Sequence, residues 1–547
     1  MKSDFLAATV LVTAAAIAIG GCATTPTPAP PPLDVKIVNG RIIDGTGAPW
    51  FRGDIGIRGR AIAAIGDLAD VPAVTTIDAR GLAVAPGFID LLGQSQGSVF
   101  ADPTVEAKVR QGITTEITGE GHSPGPRKEA SSEQPWTTLG GYLDALQARR
   151  PAINFGLLVG ASNPRQMVIG NVNRTATEDE LRTMQQIVDQ AMREGALGIS
   201  TSLIYLPAMY STTEEIVALA KVAAKYGGVY FTHLRDEGDR IDMGLDEAFR
   251  VGREAAIPVN IWHLKVGGRK NWGRMPHVVG RIAGERVAGL DVAANIYPYP
   301  ASSTSLSTLA PDWAMEGGYG AFRDRLKNPE ERERIRTEFR RQIERRGPGG
   351  IYVARIGNPA GKQYEKKFLE KISEEAGLLP EDALLKIFED NPSSPAAIYF
   401  SMSEDDVRTA VMQPWISVGA DSGSPSPAAR AAGSAIHPRA YGTFPRILAK
   451  YVREEKLFSV EEAVRRFSSQ AAARVNLHDR GVLRPGMIAD VVVFDPDTIA
   501  DKSTFDDPHH FSVGVEHVIV NGTPVLRDGK LTGAFPGEVL RGKGYKR

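Results

Sequence analysis

The sequence contains one cysteine and nine histidines among its 547 residues. A single cysteine excludes a disulfide framework and every zinc or iron–sulfur site that is built from several cysteines. Any bound metal must therefore be held by histidines and carboxylates. The sequence also lacks an excess of charge of either sign, because 64 Lys and Arg balance 65 Asp and Glu. This balance argues against a protein that binds nucleic acid.

Two further features are absent. No repeat with a period of about 20–50 residues occurs, which argues against solenoids and propellers. No glycine-rich phosphate loop follows the first strand predicted for the central region, which disfavours a doubly wound open sheet. Hydrophobic residues make up 42% of the sequence, which is too high a share for a disordered chain.

The single cysteine lies near the start of the chain, at position 22. A basic start is followed by an apolar run from Phe5 to Ile19 and then by small residues up to Cys22. This pattern predicts a signal peptide over 1–21, and Ile19-Gly20-Gly21-Cys22 resembles the lipobox of bacterial lipoproteins, in which the cysteine is acylated. Residues 22–33 then form a Pro-rich tether. We expect an exported, membrane-anchored lipoprotein facing the periplasm; an ordinary signal peptide with a bystander cysteine is the alternative.

Both ends of the remaining chain have the composition of β-strands. Short alternating apolar segments occupy residues 34–85 and again 478–547. The dipeptides Asn39-Gly40 and Asn521-Gly522 are flanked by apolar runs and predict hairpin turns. We therefore expect a small β-sandwich domain assembled from both ends of the chain.

The central region, residues 86–477, alternates apolar strands with helical patterns. The predicted strands are GFIDLLG, GITTEITGEG, NFGLLVGAS, ALGISTSLIY, VYFTHL, PVNIWHLK, DVAANIYPY and WISVGADSG. Eight strands with intervening helices predict an α/β fold of the (β/α)8 TIM-like barrel type. An insertion at about 312–412 separates the last two strands, and we interpret its charged run as the solvated face of a helix.

Polar residues stand at the ends of four of these strands, where reactive groups of such barrels lie. Glu120 follows the second strand, His233 ends the fifth, His263 ends the sixth and Asp421 follows the eighth. Two imidazoles and two carboxylates are a suitable ligand set for a zinc ion that keeps a position open for water. The alternative for each histidine alone is a hydrogen-bonded residue of the core.

Several segments together resemble the D-aminoacylase (N-acyl-D-amino-acid deacylase) family of the amidohydrolase superfamily. The resemblance runs from about Asp34 to Arg541, and its segments are APGFID, QGITTEITG, GALGISTSLIY, YFTHLRDEGDR, HLKVGGRKNWG, YPYPASST, HPRAYGTFPR, DRGVLRPGMIADVVVFDPDT and VIVNGTPVLRDG. It implies a barrel with a terminal β-sandwich. It also implies metal-dependent hydrolysis of an amide that releases a free D-amino acid.

The resemblance assigns roles residue by residue. His233 and His263 match metal ligands, and Asp421 matches the aspartate that binds or faces the metal and carries the proton. Tyr205 matches the tyrosine that polarises the scissile carbonyl. The residues that match the binding site for the substrate carboxylate are Lys265, Tyr297, Ser303 and Arg439. Packing, turn formation and a surface ion pair are the alternative roles for the last three of these.

One motif departs from the family pattern. A His-x-His pair is expected directly after GFID, but this chain has Leu92 and Gln94 at those positions. Leucine cannot bind a metal, and a neutral amide oxygen is a poor ligand for zinc. The cysteine expected after the second strand is also absent, with Gly121 in its place.

Three interpretations of this altered site follow. In the first, one zinc ion is bound by His233, His263 and Glu120 with Asp421 beside it. In the second, His122 replaces Glu120 as the third ligand. In the third, the site binds no metal. A carbamylated bridging lysine is disfavoured because the fourth strand contains no lysine.

The first interpretation predicts a zinc-dependent hydrolase acting on carbon–nitrogen bonds other than peptide bonds. Its substrates would be N-acyl-D-amino acids, or dipeptides that end in a D-residue, since an aminoacyl group is also an acyl group. Two alternatives are another amidohydrolase activity, such as hydrolysis of a cyclic amide or imide, and a metal-free lipoprotein that only binds its ligand.

Overall fold

The computed structural model describes residue 1, residues 31–433 and residues 435–546. The predicted signal peptide after Met1, the cysteine at position 22 and most of the predicted tether lie outside these residues. A search of the described part for a helix long and apolar enough to cross a membrane finds none.

Alternating apolar residues form the strands that open the described chain. Strands β1 to β5 are Leu33–Ile42, Phe51–Arg58, Ala61–Gly66, Ala73–Asp78 and Ala83–Pro86. In β1, Val35 and Ile37 are buried while Asp34 is exposed, as expected for a strand with one face against a core. These apolar side chains pack with Val491, Val493 and other residues from the far end of the chain.

The hairpin predicted at Asn39-Gly40 is wrong. Both residues lie inside β1, where the pairing with β2 shifts register between Ile37 and Gly40. Asn39 has a φ of 63°, a left-handed conformation that asparagine tolerates better than most residues. The same conformational preference therefore produces a β-bulge here instead of a turn.

The central region contains the predicted strands at the predicted places. Strands β6 to β13 are Phe88–Asp90, Ile113–Thr118, Asn154–Leu157, Val159–Gly160, Gly198–Ser202, Val229–His233, Val259–Ile261 and Val292–Ile296. The predicted third strand is divided in two at Leu158. Helices α1 to α8 are Ser98–Ala101, Glu106–Val109, Leu139–Arg149, Ser162–Val168, Glu178–Glu194, Thr213–Ala224, Ile241–Ala255 and Met275–Val287.

The insertion carries a sheet of its own. Strands β14 to β17 are Ser302–Ser305, Ile351–Arg355, Lys367–Phe368 and Ala396–Tyr399. Helices α9 to α13 are Asp312–Met315, Tyr319–Arg325, Pro329–Arg346, Leu369–Ala376 and Pro380–Asp390. The predicted charged helix is α11, which buries Ile335, Phe339 and Ile343 and directs most of its charges outward. The sheet starts at Ser302, earlier than the sequence suggested.

The remaining elements return the chain to the first sheet. Strands β18 to β23 are Ile416–Val418, Val491–Phe494, Val515–Val520, Thr523–Arg527, Lys530–Leu531 and Val539–Leu540. Helices α14 to α18 are Glu404–Val411, Pro427–Ala431, Arg439–Arg446, Val460–Phe467 and Ser469–Arg474, with a π-helical segment at Ile447–Glu454. One sheet has the order β22-β21-β20-β19-β5-β1-β2-β3, and β4 pairs with β1. Asn521-Gly522 joins antiparallel strands β20 and β21, so this predicted turn is confirmed.

Two parallel sheets form the centre of the α/β fold. Their strand orders are β23-β8-β7-β6 and β18-β13-β12-β11-β10-β9. Backbone hydrogen bonds also connect them, from the Leu91 amide to the Val418 carbonyl at 3.2 Å and from the Asp421 amide to the Leu92 carbonyl at 2.7 Å. The residues that follow β6 and β18 are therefore neighbours.

Three charged residues, from β6, α2 and β7, form a buried ion cluster. The Lys108 ammonium is 2.7 Å from an Asp90 oxygen and 3.9 Å from a Glu116 oxygen, and all three side chains are fully buried. Lys108 also donates to the Ser422 carbonyl at 2.6 Å. Glu116 occupies the space beside Gly93, where an added Cβ would lie only 1.9 Å from the Glu116 Cγ. Glycine at position 93 therefore makes room for this carboxylate.

Burial raises the pKa of Glu116 to about 7; the Lys108 charge opposes the rise and Asp90 adds to it. A carboxyl whose pKa is raised in the folded state stabilises the fold fully below its ordinary value of 4.5, and this contribution is lost as the pH rises through 7. Glu116→Gln removes the titration. We expect the stability of this variant, relative to the natural protein, to rise by roughly 2 kcal/mol between about pH 5 and pH 8.

Denaturant unfolding at both pH values measures this difference. The exposed residue Glu374 of α12 provides a matched control, and Glu374→Gln should leave the pH dependence unchanged. Parallel pH dependence of the Glu116→Gln variant and the natural protein would contradict the prediction.

Candidate metal centre

Four predicted residues stand at the carboxyl ends of parallel strands. Glu120 follows β7, His233 is the last residue of β11, His263 follows β12 and Asp421 follows β18. The three residues His233, His263 and Asp421 are buried, and the Glu120 side chain is 12% exposed. Because these strands run in parallel, their ends bring the four side chains to the same side of the sheets.

The backbone is strained at two of these positions. His263 has a φ of 37° and Asp421 a φ of 49°, a region that residues other than glycine rarely adopt. The His263 amide donates to the Asn295 side chain at 2.7 Å, and the Asp421 amide donates to the Leu92 carbonyl at 2.7 Å. Strain of this kind is held by surrounding contacts and is concentrated at functional sites.

Glu120 joins the two histidines. Its Oε1 atom lies 3.1 Å from Nδ1 of His233 and 3.1 Å from Nε2 of His263. The two imidazole rings are 4.4 Å apart at an angle of 81°. Among the described residues, this trio has one ligand atom from each member within 4.8 Å of the others.

The spacing of the trio fits a metal ion. Two ligand atoms that are each 2.0–2.1 Å from a tetrahedral zinc ion lie about 3.3 Å apart. The distances of 3.1 Å from the Glu120 oxygen to both histidine nitrogens are close to this value. Nitrogen and oxygen donors are also the types that zinc accepts. The residues present therefore fit one metal ion.

Glu237 also belongs to the site, although it was not among the predicted residues. Its carboxylate lies 3.2 Å from Nε2 of His233 and 3.1 Å from Nδ1 of His263, on the ring nitrogens that face away from Glu120. It also accepts a hydrogen bond from Lys265 at 2.8 Å. Carboxylates in this position orient histidine ligands and raise their basicity. The only signal in the sequence was its spacing of four residues from His233.

Asp421 is held from two sides. Its Oδ1 atom accepts a hydrogen bond from the Gln94 amide nitrogen at 2.8 Å, and its Oδ2 atom is 2.7 Å from the Arg439 guanidinium. The same amide nitrogen donates to Glu120 at 2.9 Å. Asp421 therefore lies beside the trio and is connected to it through Gln94.

The four residues predicted to bind the substrate carboxylate lie together. The Arg439 guanidinium is centred 4.6 Å from the Tyr297 ring and donates to the Ser303 carbonyl at 3.1 Å. The Lys265 ammonium is 5.9 Å from the same ring. The Ser303 hydroxyl, however, donates to the Ala397 carbonyl at 3.0 Å, within the sheet of the insertion. Two cationic groups thus flank one buried tyrosine.

The ring of Tyr205 packs edge-on against the imidazole of His233. Their ring centres are 5.5 Å apart, and the Tyr205 hydroxyl forms a hydrogen bond of 2.6 Å with the Thr304 hydroxyl. Burial raises the pKa of Tyr205 above its ordinary value, and the charge of Glu120 adds to this rise. The phenol therefore stays protonated and remains a hydrogen-bond donor.

The carboxylates of the site outnumber its lysine and arginine side chains by one. Three carboxylates, Glu120, Glu237 and Asp421, face the two cations Lys265 and Arg439. Burial opposes the ionisation of Glu120, but hydrogen bonds from the histidines outweigh it and hold the pKa of Glu120 below its usual range. Burial and Lys265 lower the pKa of His263, but Glu237, Asp421 and Glu120 outweigh them and raise it to about 9. Without a metal His263 is therefore protonated and the charges of the site balance, and a divalent ion would replace this proton.

A cleft of about 1040 Å³ opens beside this cluster. Gln94, His122, Phe100 and Trp136 are among the residues that line it. His122 was the alternative third ligand, but the structure places it on the cleft wall and not in the trio of ligand atoms.

Comparisons with known proteins agree with this geometry. The model of the amidohydrolase family matches residues 429–526. The D-aminoacylase of Alcaligenes xylosoxydans xylosoxydans is 36% identical over 522 residues, covering 93% of this chain and 98% of that protein. The N-acyl-D-glutamate deacylase of the same organism is 35% identical over 520 residues, covering 93% and 96%.

Solved structures of deacylases are also similar to this chain. The N-acyl-D-glutamate deacylase of Bordetella bronchiseptica, in complex with zinc and a phosphonate inhibitor that mimics the tetrahedral intermediate, is 34% identical. It superposes with a TM-score of 0.80 over 93% of this chain and 100% of that one. A D-aminoacylase structure, described with a binuclear metal centre, one-metal activation and second-metal attenuation, is 35% identical with a TM-score of 0.80 and the same coverage.

Fold, site and these matches define the chain as an amidohydrolase. Within that class it belongs to the D-aminoacylase family, since its relatives are more than 30% identical over nearly their whole length. The family assignment made from the sequence motifs is thus confirmed.

The position of Glu237 generates a test. Glu237→Gln removes the charge that faces both histidines and Lys265, so we expect the dissociation constant for zinc to rise about tenfold or more. Competition with a chelating indicator measures this constant. Glu254→Gln, at an exposed position of α7, is the control and should bind zinc normally. Unchanged zinc affinity in Glu237→Gln would show that this carboxylate does not support the histidines.

Proposed function

We propose that this protein hydrolyses the amide bond of N-acyl-D-amino acids to a carboxylate and a free D-amino acid. It is a hydrolase acting on carbon–nitrogen bonds other than peptide bonds. The support comes from the D-aminoacylase and N-acyl-D-glutamate deacylase relatives, which cover almost the whole chain. Dipeptides that end in a D-residue fall into the same substrate class.

The contact between Arg439 and Asp421 carries this proposal. Arg439 is suited to bind a carboxylate with two parallel hydrogen bonds, and it lies 2.7 Å from the aspartate assigned to proton transfer. In an N-acyl amino acid a single carbon atom separates the carboxylate from the amide nitrogen. A substrate held by Arg439 therefore places its scissile amide beside Asp421.

The proposal assigns one zinc ion to Glu120, His233 and His263. A bound zinc ion polarises an amide carbonyl and lowers the pKa of a coordinated water. Leu92 is buried in the core at 1% exposure, and Gln94 directs its amide nitrogen to carboxylates, so neither position supplies a zinc ligand. The zinc in the 34% identical Bordetella structure supports the choice of metal.

The remaining residues carry out the steps of proton transfer and charge stabilisation. Asp421 accepts the proton of the attacking water and delivers it to the leaving amine, acting first as base and then as acid. Tyr205 stays protonated and donates a hydrogen bond to the oxyanion of the tetrahedral intermediate. Lys265 and Arg439 hold the substrate carboxylate throughout.

We also propose that the two parallel sheets form one closed (β/α)8 barrel, and that the sheet shared by both chain ends belongs to a β-sandwich. Support for closure comes from the hydrogen bonds between the segments after β6 and β18, and from the parallel bridge between Gly93 and Ser422. The position of every candidate ligand at a strand's carboxyl end agrees with such a barrel.

The two cations beside Tyr297 favour this substrate class over cyclic amides. A cyclic amide or imide carries no free carboxylate, so with such a substrate Lys265 and Arg439 would contact only their protein partners Glu237 and Asp421. The number of bound zinc ions is given by the metal content, which the next experiment measures.

The function is tested with protein purified without chelators. We expect about one zinc equivalent per chain and turnover of N-acyl-D-amino acids but not of their L-enantiomers, measured over a matched panel. Asp421→Asn should abolish turnover while circular dichroism still shows a folded chain. Activity restricted to L-substrates, or a chain without metal and without turnover, would overturn the proposal.

We further propose that Cys22 carries a lipid anchor that holds the protein at a membrane facing the periplasm. The support is the sequence Ile19-Gly20-Gly21-Cys22 after an apolar run that is too short to span a bilayer. The Pro-rich residues that follow would form an extended tether of a few nanometres.

Mass spectrometry of the mature N-terminus tests the anchor in a bacterial host. The expected product begins at an acylated Cys22 and fractionates with membranes, and Cys22→Ser should prevent both acylation and cleavage at this position. A soluble mature chain with an unmodified Cys22, or one cleaved elsewhere, would contradict the prediction.

A further inference from the structure

Two carboxylates at the site share one neutral donor. The Gln94 amide nitrogen donates to Oε2 of Glu120 at 2.9 Å and to Oδ1 of Asp421 at 2.8 Å. Gln94 lines the cleft, whereas neither carboxylate is among the residues that line it. The two acidic side chains themselves are only 12% and 9% exposed.

The orientation of the Gln94 amide follows from its partners. Both neighbours are carboxylate oxygens, which accept hydrogen bonds when ionised, so the nitrogen and not the oxygen of the amide must face them. The two N–H groups are then both used. Two carboxylates within reach of a single atom repel each other, and this repulsion is commonly relieved by a cation. Here Arg439 pairs with the Oδ2 atom of Asp421, and the neutral amide of Gln94 lies between the Oδ1 atom of Asp421 and the Oε2 atom of Glu120.

The surrounding segment offers no ligand to a cation at this point. Leu92 packs in an apolar cluster with Ile89 and Trp262. Gly93 is required by the Glu116 side chain next to it, and the Ser95 amide donates to Glu116 at 2.7 Å. Gln94 is thus the one residue of 92–95 whose side chain reaches Glu120 and Asp421.

We propose that Gln94 takes the place of a second cation between Glu120 and Asp421, and so keeps the centre at one metal ion. Through Oε2 it orients Glu120 so that Oε1 faces His233 and His263. It holds Asp421 beside the trio at the same time. Gln94 is therefore a positioning residue and not a ligand, an inference that rests on the one-metal site of the proposed function.

Gln94→Glu tests this inference, because the exchange is nearly isosteric and replaces the donor by a third carboxylate. We expect the variant to bind one more zinc equivalent per chain than the natural protein. Metal content is measured by elemental analysis after zinc loading and dialysis of the full mature chain. Gln186→Glu, an exposed position of α5, is the control and should leave the metal content unchanged.

The difference in zinc content between Gln94→Glu and the natural protein tests the inference. The zinc content of the natural protein by itself tests the proposed function. One additional equivalent in Gln94→Glu supports the role of Gln94, and no additional equivalent overturns it. Two equivalents in the natural protein also overturn it, since the second position would then be occupied. No metal in the natural protein would overturn the one-metal site, and the gain in the variant would still be measured.

A second variant keeps the inference testable should Gln94→Glu unfold, which circular dichroism would detect. Gln94→Met retains the length of the side chain but donates no hydrogen bond. We expect it to bind a single zinc ion with a dissociation constant raised about tenfold, because Glu120 is no longer oriented. Unchanged zinc affinity in Gln94→Met would count against a positioning role.

Discussion

The site depends on one carboxylate that is shared among three elements. Oε1 of Glu120 lies 3.1 Å from nitrogens of His233 and His263, and Oε2 bonds to Gln94. Each partner stands at the end of a different strand, so the ends of β6, β7, β11 and β12 must lie at matching heights. The strained backbone at His263 and the contacts of Glu237 serve this same alignment.

Much of this arrangement is predictable from the sequence, and the reason is geometric. Parallel strands end at a common edge, so polar residues that terminate apolar strands must approach each other. His233, His263, Glu120 and Asp421 were found in this way. Glu237 was not, because it lies in a loop whose path depends on tertiary contacts and because one acidic residue in a loop is usually solvated.

Other differences have equally local causes. Asn39-Gly40 has the composition of a hairpin turn, yet the chain uses its left-handed conformation for a bulge within β1. Local sequence specifies the backbone conformation but not the partner strand. The sheet of the insertion begins at Ser302 because β14 pairs with β17, almost a hundred residues further along the chain. Pairing over such a separation leaves no local pattern in the sequence.

Leu92 and Gln94, which stand where a His-x-His pair was expected, lie in closely packed surroundings. Leu92 packs in the core, Glu116 occupies the space next to Gly93, and buried Lys108 pairs with Asp90 and faces Glu116. A buried charge is costly unless it is paired, so Glu116, Lys108 and Asp90 depend on one another. The segment from Asp90 to Gln94 is thus held by packing and by paired charges.

The strand order also determines when the protein is able to fold. β5 lies between β1 and β19 in one sheet, and β23, near the end of the chain, pairs with β8. Neither sheet is complete until the last residues have been synthesised, and pairing over such distances is slow. The native sheets therefore form only after most of the chain has been synthesised. A polypeptide that has not yet folded can pass through a translocation channel, so this strand order is compatible with the export that we propose from the N-terminal sequence.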